Sequence, residues 1–470
     1  MDATDLAFAG LAGQADLVRR GEVTPRELVE LQLERIERID PLLNAVRVTF
    51  PERAFAEAEQ AAARREAMAR TSGNGAAARP LLGVPILIKD DVDVAGEATR
   101  YGSAASSDQP ALADAEVVRR LRAAGAIVIG KTHTPELMQW PFTETAAYGI
   151  TRNPWDLSRT PGGSSGGSGA AVAAGLAAAA LATDGAGSIR IPAACCGLFG
   201  LKPQRGRVPE APKHEPWLDL STTGCVTRTV ADTALWLDAT ADRDPGAPSY
   251  AHAAATPPRR PLKIAYTTRN PLLAPVAREP RAALEQTIAL LRELGHTVER
   301  VDPPLDPVLP QVIARYLRGI AEDAAKLPHP ERLESRTQGM VRMGRLLPDG
   351  FVRWAREREG ATTVALSRVL ADHDLLLTPA LAALPLPIGR YDGRGALWTF
   401  NGVARFTPFT PGWNVTGQPA AAVPAGFTDG GLPLSVQLVG RTRDEATLLS
   451  LAGQLEAARP WSARRPTLAE

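Results

Sequence analysis

Apolar residues in the N-terminal part of the chain recur at broadly helical intervals. Thr24 and Glu27 form a capping-box pattern around Pro25, and proline is well suited to the first position of a helix. Leucine and isoleucine residues follow every three to five positions. The pattern predicts one helix over about 25–39 and a second over about 52–70.

Farther along, short apolar runs alternate with helical stretches. Strands are predicted at 81–88, 126–129, 262–265, 297–301 and 375–377, and helices at 116–124 and 281–294. The alanine-rich run at 170–183 is expected to be a buried helix that leads into a strand. This alternation predicts an α/β fold, in which a central twisted mixed sheet is surrounded by helices.

Some regions depart from this rhythm. Residues 71–78 are small and are predicted to be flexible, whereas 205–222 and 303–351 mix proline and charge with helical pieces. Such irregular segments often face or cover a substrate. We predict a single domain over 1–470, with N-terminal helices at about 1–70, a catalytic core at about 80–240 and a helical, substrate-covering segment at about 303–370.

Charge and cysteine content narrow the function classes. Lysine and arginine total 53 against 52 aspartates and glutamates, and this balance lacks the basic excess that nucleic-acid binding needs. The three cysteines, Cys195, Cys196 and Cys225, cannot build a disulfide framework. Residues 1–23 do not resemble a secretory signal, and the apolar run at 170–183 falls short of the roughly 20 residues that span a bilayer. We therefore expect a cytoplasmic protein without a nucleic-acid or membrane partner.

Two short motif matches fail on their context. Residues 125–132 fit the phosphate-loop pattern, but the residues between the two glycines are Ala-Ile-Val-Ile and must themselves form the strand. Residues 162–166 fit the nucleophile-elbow pattern, yet a polar loop ending in proline precedes them where an elbow requires a hydrophobic strand. Neither nucleotide binding nor an α/β-hydrolase site is predicted.

Two glycine-rich turns frame the alanine-rich segment. Residues 160–169 read TPGGSSGGSG and contain Ser164, and residues 184–190 read DGAGSIR and contain Ser188. Glycine at this density lets backbone amides approach a ligand closely, as an oxyanion-binding site requires. A flexible linker is the competing interpretation, but both turns lead directly into apolar, element-forming sequence.

This stretch resembles the hallmark of the amidase signature family, GGSSGGS followed by TD-x-x-GSIR-x-PA, with a lysine on an upstream strand. The resemblance also covers Leu82-Gly83-Val84-Pro85 to Lys89-Asp90, Gly130-Lys131-Thr132, Thr151 to Asp156, Gly417 to Ala420 and Leu432 to Gly440. It spans most of the chain beyond about residue 20. The resemblance implies the amidase signature fold and hydrolysis of a carboxylic amide.

By the same resemblance, the acyl-forming nucleophile is Ser188, the bridging serine is Ser164 and the base is Lys89. The bridging serine is expected to follow a cis peptide bond after Gly163. A serine hydroxyl needs a neighbour to take its proton, and a lysine can do so only when it is neutral. Apolar neighbours of Lys89 on its strand would disfavour its charged form.

The backbone amides of Gly185, Ala186, Gly187 and Ser188 are the predicted oxyanion hole. Many family members have two glycines before the serine, whereas this chain has Ala186, which would be strained at positive φ. Four further side chains are expected to fix the two turns by hydrogen bonds and charge: Ser165, Thr183, Asp184 and Arg190. A purely structural ion pair remains an equal alternative for Asp184 and Arg190.

The resemblance also implies substrate contacts beside the catalytic loop. They involve Met138, Gln139, Trp140 and Gly163. An apolar wall for an acyl or aryl group would combine Met138 and Trp140 with Phe142, and Phe406, Phe409 and Trp413 could extend it. Ordinary core packing competes with this interpretation for each apolar residue.

The predicted function is a hydrolase that uses neither metal nor cofactor and acts, as a monomer or homodimer, on small amides. Carbamate and ester cleavage need the same chemistry and stay open. The main alternative is the glutamine-hydrolysing subunit of a tRNA-dependent amidotransferase, which usually holds the amino group of glutamine with an acid that residues 406–410 lack. A non-catalytic binding protein is the alternative from another class.

Overall fold

The computed structural model describes residues 1–70, 79–304 and 308–469. Its main sheet has 11 strands, and a separate two-stranded ribbon is formed by β4 and β5. The strands are β1 (Val46–Thr49), β2 (Pro85–Lys89), β3 (Ile127–Thr132), β4 (Glu144–Thr145), β5 (Gly149–Ile150), β6 (Ala179–Thr183), β7 (Phe199–Lys202), β8 (Thr223–Thr227), β9 (Lys263–Tyr266), β10 (Thr297–Arg300), β11 (Leu375–Pro379), β12 (Ala420–Phe427) and β13 (Pro433–Gly440).

The strand order in the main sheet is β1-β3-β2-β6-β8-β7-β12-β13-β11-β9-β10. Strand β2 runs parallel to β3 and β6, and β9 runs parallel to β10 and β11. The remaining neighbours pair in antiparallel fashion. The predicted mixed α/β fold is therefore confirmed.

Helices accompany the sheet along the whole described chain. They are α1 (Ala3–Ala7), α2 (Gly10–Arg20), α3 (Pro25–Leu43), α4 (Pro51–Arg70), α5 (Glu116–Ala123), α6 (Gly166–Ala173), α7 (Arg190–Cys196), α8 (Val230–Thr240), α9 (Tyr250–Ala255), α10 (Arg278–Glu293), α11 (Val308–Ala325), α12 (Ser335–Leu346), α13 (Asp349–Glu357), α14 (Glu359–Asp372), α15 (Ala396–Phe406), α16 (Gly412–Val415) and α17 (Glu445–Ala458). No described helix combines the length and apolar character needed to cross a membrane.

Most predicted elements occur with shifted ends. The capping box of α3 forms as predicted, and the helix continues to Leu43. The strand predicted from residue 81 begins only at Pro85, because the preceding residues form a turn in which Gly83 has φ +80°. Strand β3 extends through Thr132, so the GKT part of the phosphate-loop match is strand, and a phosphate loop is excluded.

The pleat of β2 decides where Lys89 lies. Leu87 joins the apolar cluster that contains α6, whereas Ile86 and Ile88 join the cluster on the other face of the sheet. Side chains alternate along a strand, so Lys89 shares the face of Leu87 and is directed toward α6. Because β2 and β6 are parallel neighbours, their carboxyl ends bring Lys89 beside Thr183.

The 303–370 segment forms α11 to α14 in its described part. Its role as a cover over the substrate remains a prediction. The segment predicted to be flexible, 71–78, lies outside the described residues.

The close packing of α6 makes one prediction about stability. A Cβ at Gly167 would lie 2.5 Å from the Ala45 carbonyl oxygen and 2.6 Å from the His133 amide nitrogen. Both are backbone atoms, so the main chain would have to shift to make room for the methyl group. We expect Gly167→Ala to lower the free energy of unfolding by about 1–3 kcal/mol, as overpacking does. Urea unfolding followed by circular dichroism measures the change.

Gly360→Ala is the matched control. A Cβ at Gly360, inside α14, meets nothing within 4 Å, so this variant should keep or gain stability, by up to about 1 kcal/mol. Equal unfolding curves for the two variants would contradict the packing of α6 described above.

Candidate active site

Lys89 ends β2 and is completely buried. Its Nζ donates hydrogen bonds to Ser164 Oγ and Thr183 Oγ1, each at 2.7 Å. A third polar atom, Asp91 Oδ2, lies 3.8 Å from Nζ. The predicted base and the predicted bridging serine are thus in direct contact.

Burial changes the protonation of this lysine. Loss of hydration lowers the pKa of Lys89 from its usual value to about 8, although the nearby Asp91 carboxylate opposes the change. A substantial fraction of Lys89 is therefore neutral in the slightly alkaline range, where it can accept a proton.

Ser164 lies in the turn that precedes α6. The Gly163–Ser164 peptide bond is cis, as the family resemblance implied. A Cβ at Gly163 would overlap the Trp140 carbonyl oxygen and lie 2.7 Å from the Phe142 amide nitrogen, so only glycine fits there. The neighbouring Ser165 amide donates to the Ser188 carbonyl oxygen at 3.3 Å, which ties the two serine turns together.

The Ser188 turn is organised by a buried ion pair. Asp184 accepts hydrogen bonds from Arg190 Nε at 2.9 Å and Nη2 at 2.8 Å, and from the Gly187 amide at 2.6 Å. Burial opposes its ionisation, but the Arg190 guanidinium outweighs that effect and holds the pKa of Asp184 well below its usual range. The pair therefore remains charged and fixes the turn.

Residues near the C-terminus complete this arrangement. Arg190 also donates to the Thr410 carbonyl oxygen at 2.9 Å, to Gln437 Oε1 at 2.7 Å and to Asn414 Oδ1 at 2.7 Å. Asn414 Nδ2 in turn donates to the Asp184 carbonyl oxygen at 2.7 Å. Asp184 and Arg190 are predicted from the sequence, whereas Thr410, Asn414 and Gln437 are not, because they lie more than 200 residues farther along the chain.

The predicted oxyanion hole divides into two kinds of amide. Gly187 has φ +125° and commits its amide to Asp184, so its contribution is to shape the turn. Ala186 lies outside the positive-φ region, so alanine is unstrained there, and the strain considered for it does not arise. No protein acceptor within the described residues takes the amide hydrogens of Gly185, Ala186 and Ser188, so these three amides are free to donate to a ligand.

Two cavities meet at Ser188. The wall of one is mostly apolar and includes Trp140, Ile191, Val312, Tyr316 and Val403. The other is lined in part by polar groups, which include Asp91, Ser164, Thr183 and Lys213. We call them the apolar cavity and the polar cleft.

The predicted substrate contacts fall on different sides of Ser188. Gln139 and Trp140 line the apolar cavity, but Met138 lines the polar cleft. Phe142 is buried behind Trp140, with 5.8 Å between the ring centroids. The remaining candidates, Phe406, Phe409 and Trp413, are buried and line neither cavity within the described chain, where Thr407, Pro408 and Pro411 take that position instead.

Comparison with known proteins decides the family. The family model for amidases matches residues 27–449. The chain belongs to the amidase signature family. AmiB2 of Mycobacterium tuberculosis, a protein that is named an amidase, is 51% identical to this chain over 471 residues. The match covers 100% of each of the two chains.

Solved structures of similar proteins share the fold of this chain. The structure of 6-aminohexanoate cyclic dimer hydrolase with its substrate has a TM-score of 0.89 and 32% identity, and the match covers 99% of this chain and 100% of that one. A bacterial aryl acylamidase of the amidase signature family has a TM-score of 0.84 and 26% identity, and the match covers 97% of this chain and 98% of that one. The chain is therefore an amidohydrolase.

The candidate site also contains two charged residues that are not predicted from the sequence, Asp91 and Lys213. Asp91 accepts a hydrogen bond from Thr183 Oγ1 at 2.8 Å, and Lys213 Nζ lies 3.7 Å from Asp91 Oδ2. Asp91 could have been noticed because it follows Lys89-Asp90 directly. Lys213 gave no such signal, since it lies in the irregular stretch at 205–222.

The geometry of the Ser188 turn yields a prediction for Gly187→Ala. A Cβ at Gly187 would overlap Thr410 Oγ1 and lie 2.8 Å from Ile191 Cδ1, in a conformation that alanine avoids. Displacement of the turn should lower kcat for an anilide substrate by roughly 10²-fold or more, the loss that follows removal of one oxyanion donor. Release of 4-nitroaniline measures it.

Ala186→Gly is the control for this variant. Because Ala186 has no special backbone requirement, its replacement should retain most of the activity. Equal losses in both variants would show that the turn is sensitive to any change rather than to the conformation of Gly187.

Proposed function

We propose that this amidase hydrolyses amides with apolar acyl or aryl groups through an acyl-enzyme on Ser188. The 2.7 Å hydrogen bond between the buried Lys89 Nζ and Ser164 Oγ carries the proposal. It supplies a base with a lowered pKa to a serine that lines the same cleft as Ser188.

The proposed reaction begins with neutral Lys89. Lys89 accepts the proton of Ser164 while Ser164 accepts that of Ser188, and the Ser188 oxygen attacks the substrate carbonyl carbon. The amides of Gly185, Ala186 and Ser188 stabilise the resulting oxyanion. When the carbon–nitrogen bond breaks, Ser164 returns a proton to the departing nitrogen, and Lys89 supplies the proton to Ser164. Water then hydrolyses the ester on Ser188 by the same proton route.

The position of Ser164 supports a separate role for each of the two cavities. The departing nitrogen takes its proton from Ser164, and Ser164 lines the polar cleft, so the amine leaves through that cleft. The acyl group then occupies the apolar cavity on the other side of Ser188. Hydrophobic burial there favours alkyl and aryl acyl groups.

Other leaving groups fit the same proposal. Carbamates and esters offer a carbonyl carbon for attack and a leaving group that Ser164 can protonate, so both are proposed as further substrates. Glutamine fits poorly, because no carboxylate lines the described part of the apolar cavity to pair with its amino group.

A series of 4-nitroanilides tests the proposal. Acetyl, butyryl and hexanoyl anilides should show kcat/KM rising by roughly fourfold per added methylene until the apolar cavity is filled, from about 0.8 kcal/mol per buried CH₂. Ser188→Ala should lose roughly 10⁴-fold or more of kcat, whereas Ser158→Ala, at an exposed serine, should retain it. All assays contain EDTA, so that the measured activity does not depend on free metal ions.

Three outcomes would contradict the proposal. Activity that survives Ser188→Ala would exclude Ser188 as the nucleophile. A kcat/KM that falls with chain length would place the acyl group elsewhere. Turnover of glutamine alone would indicate the amidotransferase subunit.

A further substrate tests the carbamate proposal. The rate of 4-nitrophenyl carbamate turnover relative to that of the anilide decides whether urethane bonds are substrates.

A further inference from the structure

A line of charged side chains runs from the buried lysine to the surface of the polar cleft. Asp91 Oδ2 lies 3.8 Å from Lys89 Nζ and 3.7 Å from Lys213 Nζ. Thr183 Oγ1 bridges the pair, since it accepts from Lys89 at 2.7 Å and donates to Asp91 Oδ2 at 2.8 Å. One carboxylate oxygen therefore faces two ammonium groups.

The charged form of Asp91 depends on the two ammonium groups for its stability. Asp91 is buried, and its second oxygen, Oδ1, has no hydrogen-bond partner within the described residues. Burial disfavours its charged form, yet the charges of Lys89 and Lys213 hold the pKa of Asp91 below its usual value. Asp91 is therefore an anion at the pH at which Lys89 titrates.

Other charged or titratable groups near these three side chains come from several elements. Lys89 also feels Asp184 at the carboxyl end of β6, and Asp91 also feels Lys131 on β3. Around Lys213 are Tyr101, Glu210 and Asp323, of which Tyr101 lies below the ammonium at 6.0 Å from its ring centroid. Burial lowers the pKa of Lys213, but its acidic neighbours outweigh that effect and raise it, so Lys213 stays charged.

We propose that Asp91 and Lys213 are positioning residues that together set the protonation of Lys89 and hence the pH range in which Ser188 is activated. The inference rests on the proposed function, because it assigns Lys89 the role of base. Asp91 attracts a proton to Lys89, and Lys213 weakens that attraction by neutralising Asp91 from the opposite side. Neither side chain needs to contact the substrate.

The signs of the two effects are opposite. Without the Asp91 charge, protonated Lys89 loses its nearest anion, so its pKa falls and Ser188 is activated at lower pH. Without the Lys213 charge, Asp91 acts on Lys89 alone and a repulsive cation is lost, so the pKa of Lys89 rises and activation needs higher pH. A residue that only supported the fold would lower the rate without moving this pH range.

The rate at which Ser188 reacts with phenylmethylsulfonyl fluoride measures the effect without a substrate. The Ser188 oxygen bonds to sulfur, the sulfur–fluorine bond breaks, fluoride leaves and Lys89 takes up the proton through Ser164. Intact mass and peptide mapping give the rate constant at each pH. In the wild type it should rise with a midpoint near pH 8, the pKa to which burial lowers Lys89.

Four variants separate the charges. Asp91→Asn keeps the shape and should move the midpoint down by about one pH unit, and Lys213→Met should move it up by roughly half a unit. Lys213→Arg retains the charge and should leave the midpoint near that of the wild type. Lys263→Met removes an exposed lysine on β9, which pairs with Glu299 at 3.1 Å, and controls for net charge.

Each result bears on a separate claim. Opposite shifts in Asp91→Asn and Lys213→Met, with no shift in the other two variants, support the inference. Labelling of Ser188 with an unchanged midpoint in Lys213→Met overturns it, even if Asp91→Asn fails to fold. If Lys213→Met raises the KM for anilides but leaves the pH midpoint of labelling unchanged, the inference is also overturned, and Lys213 is then a substrate contact. Absence of labelling on wild-type Ser188 at every pH would contradict the proposed function itself.

Discussion

The candidate site depends on the burial of one amino group, that of Lys89 at the end of β2, which is energetically unfavourable for its charged form. Lys89 has no exposed surface, so its charged form lacks hydration, and its nitrogen must be satisfied by the three polar groups around it. Ser164, Thr183 and Asp91 reach it from three different segments of the chain. The order of the strands, the turn before α6 and the end of β6 therefore have to be correct together.

A second buried charge pair holds the other half of the site. Asp184 and Arg190 have no exposed side-chain surface, and they join the Ser188 turn to Thr410, Asn414 and Gln437. Breaking a buried pair of this kind costs about 3–5 kcal/mol, because it leaves an unpaired charge inside. The C-terminal part of the chain thus contributes to the site without supplying a predicted catalytic group.

The sequence was informative wherever chemistry and local pattern coincide. Lys89 at a strand end, Ser164 and Ser188 in glycine-rich turns and the capping box of α3 could all be predicted, because each depends on neighbours within a few residues. The extension of β3 to Thr132 could not be predicted, since it follows from pairing with strands on both sides. The family resemblance predicts that Met138 and Trp140 share one apolar wall, yet the two residues line different cavities. Lys213 shows the same limit, because only folding brings it to Asp91.

Acid quenching can trap the acyl group that we propose Ser188 carries during turnover. The enzyme is mixed with excess 4-nitrophenyl hexanoate, stopped in acid within the first turnovers, digested and analysed by mass spectrometry. We expect a hexanoyl group on the peptide that contains Ser188, and none in Ser188→Ala. A hexanoyl group on Ser164, or turnover with no acylated protein at any time, would contradict the proposal.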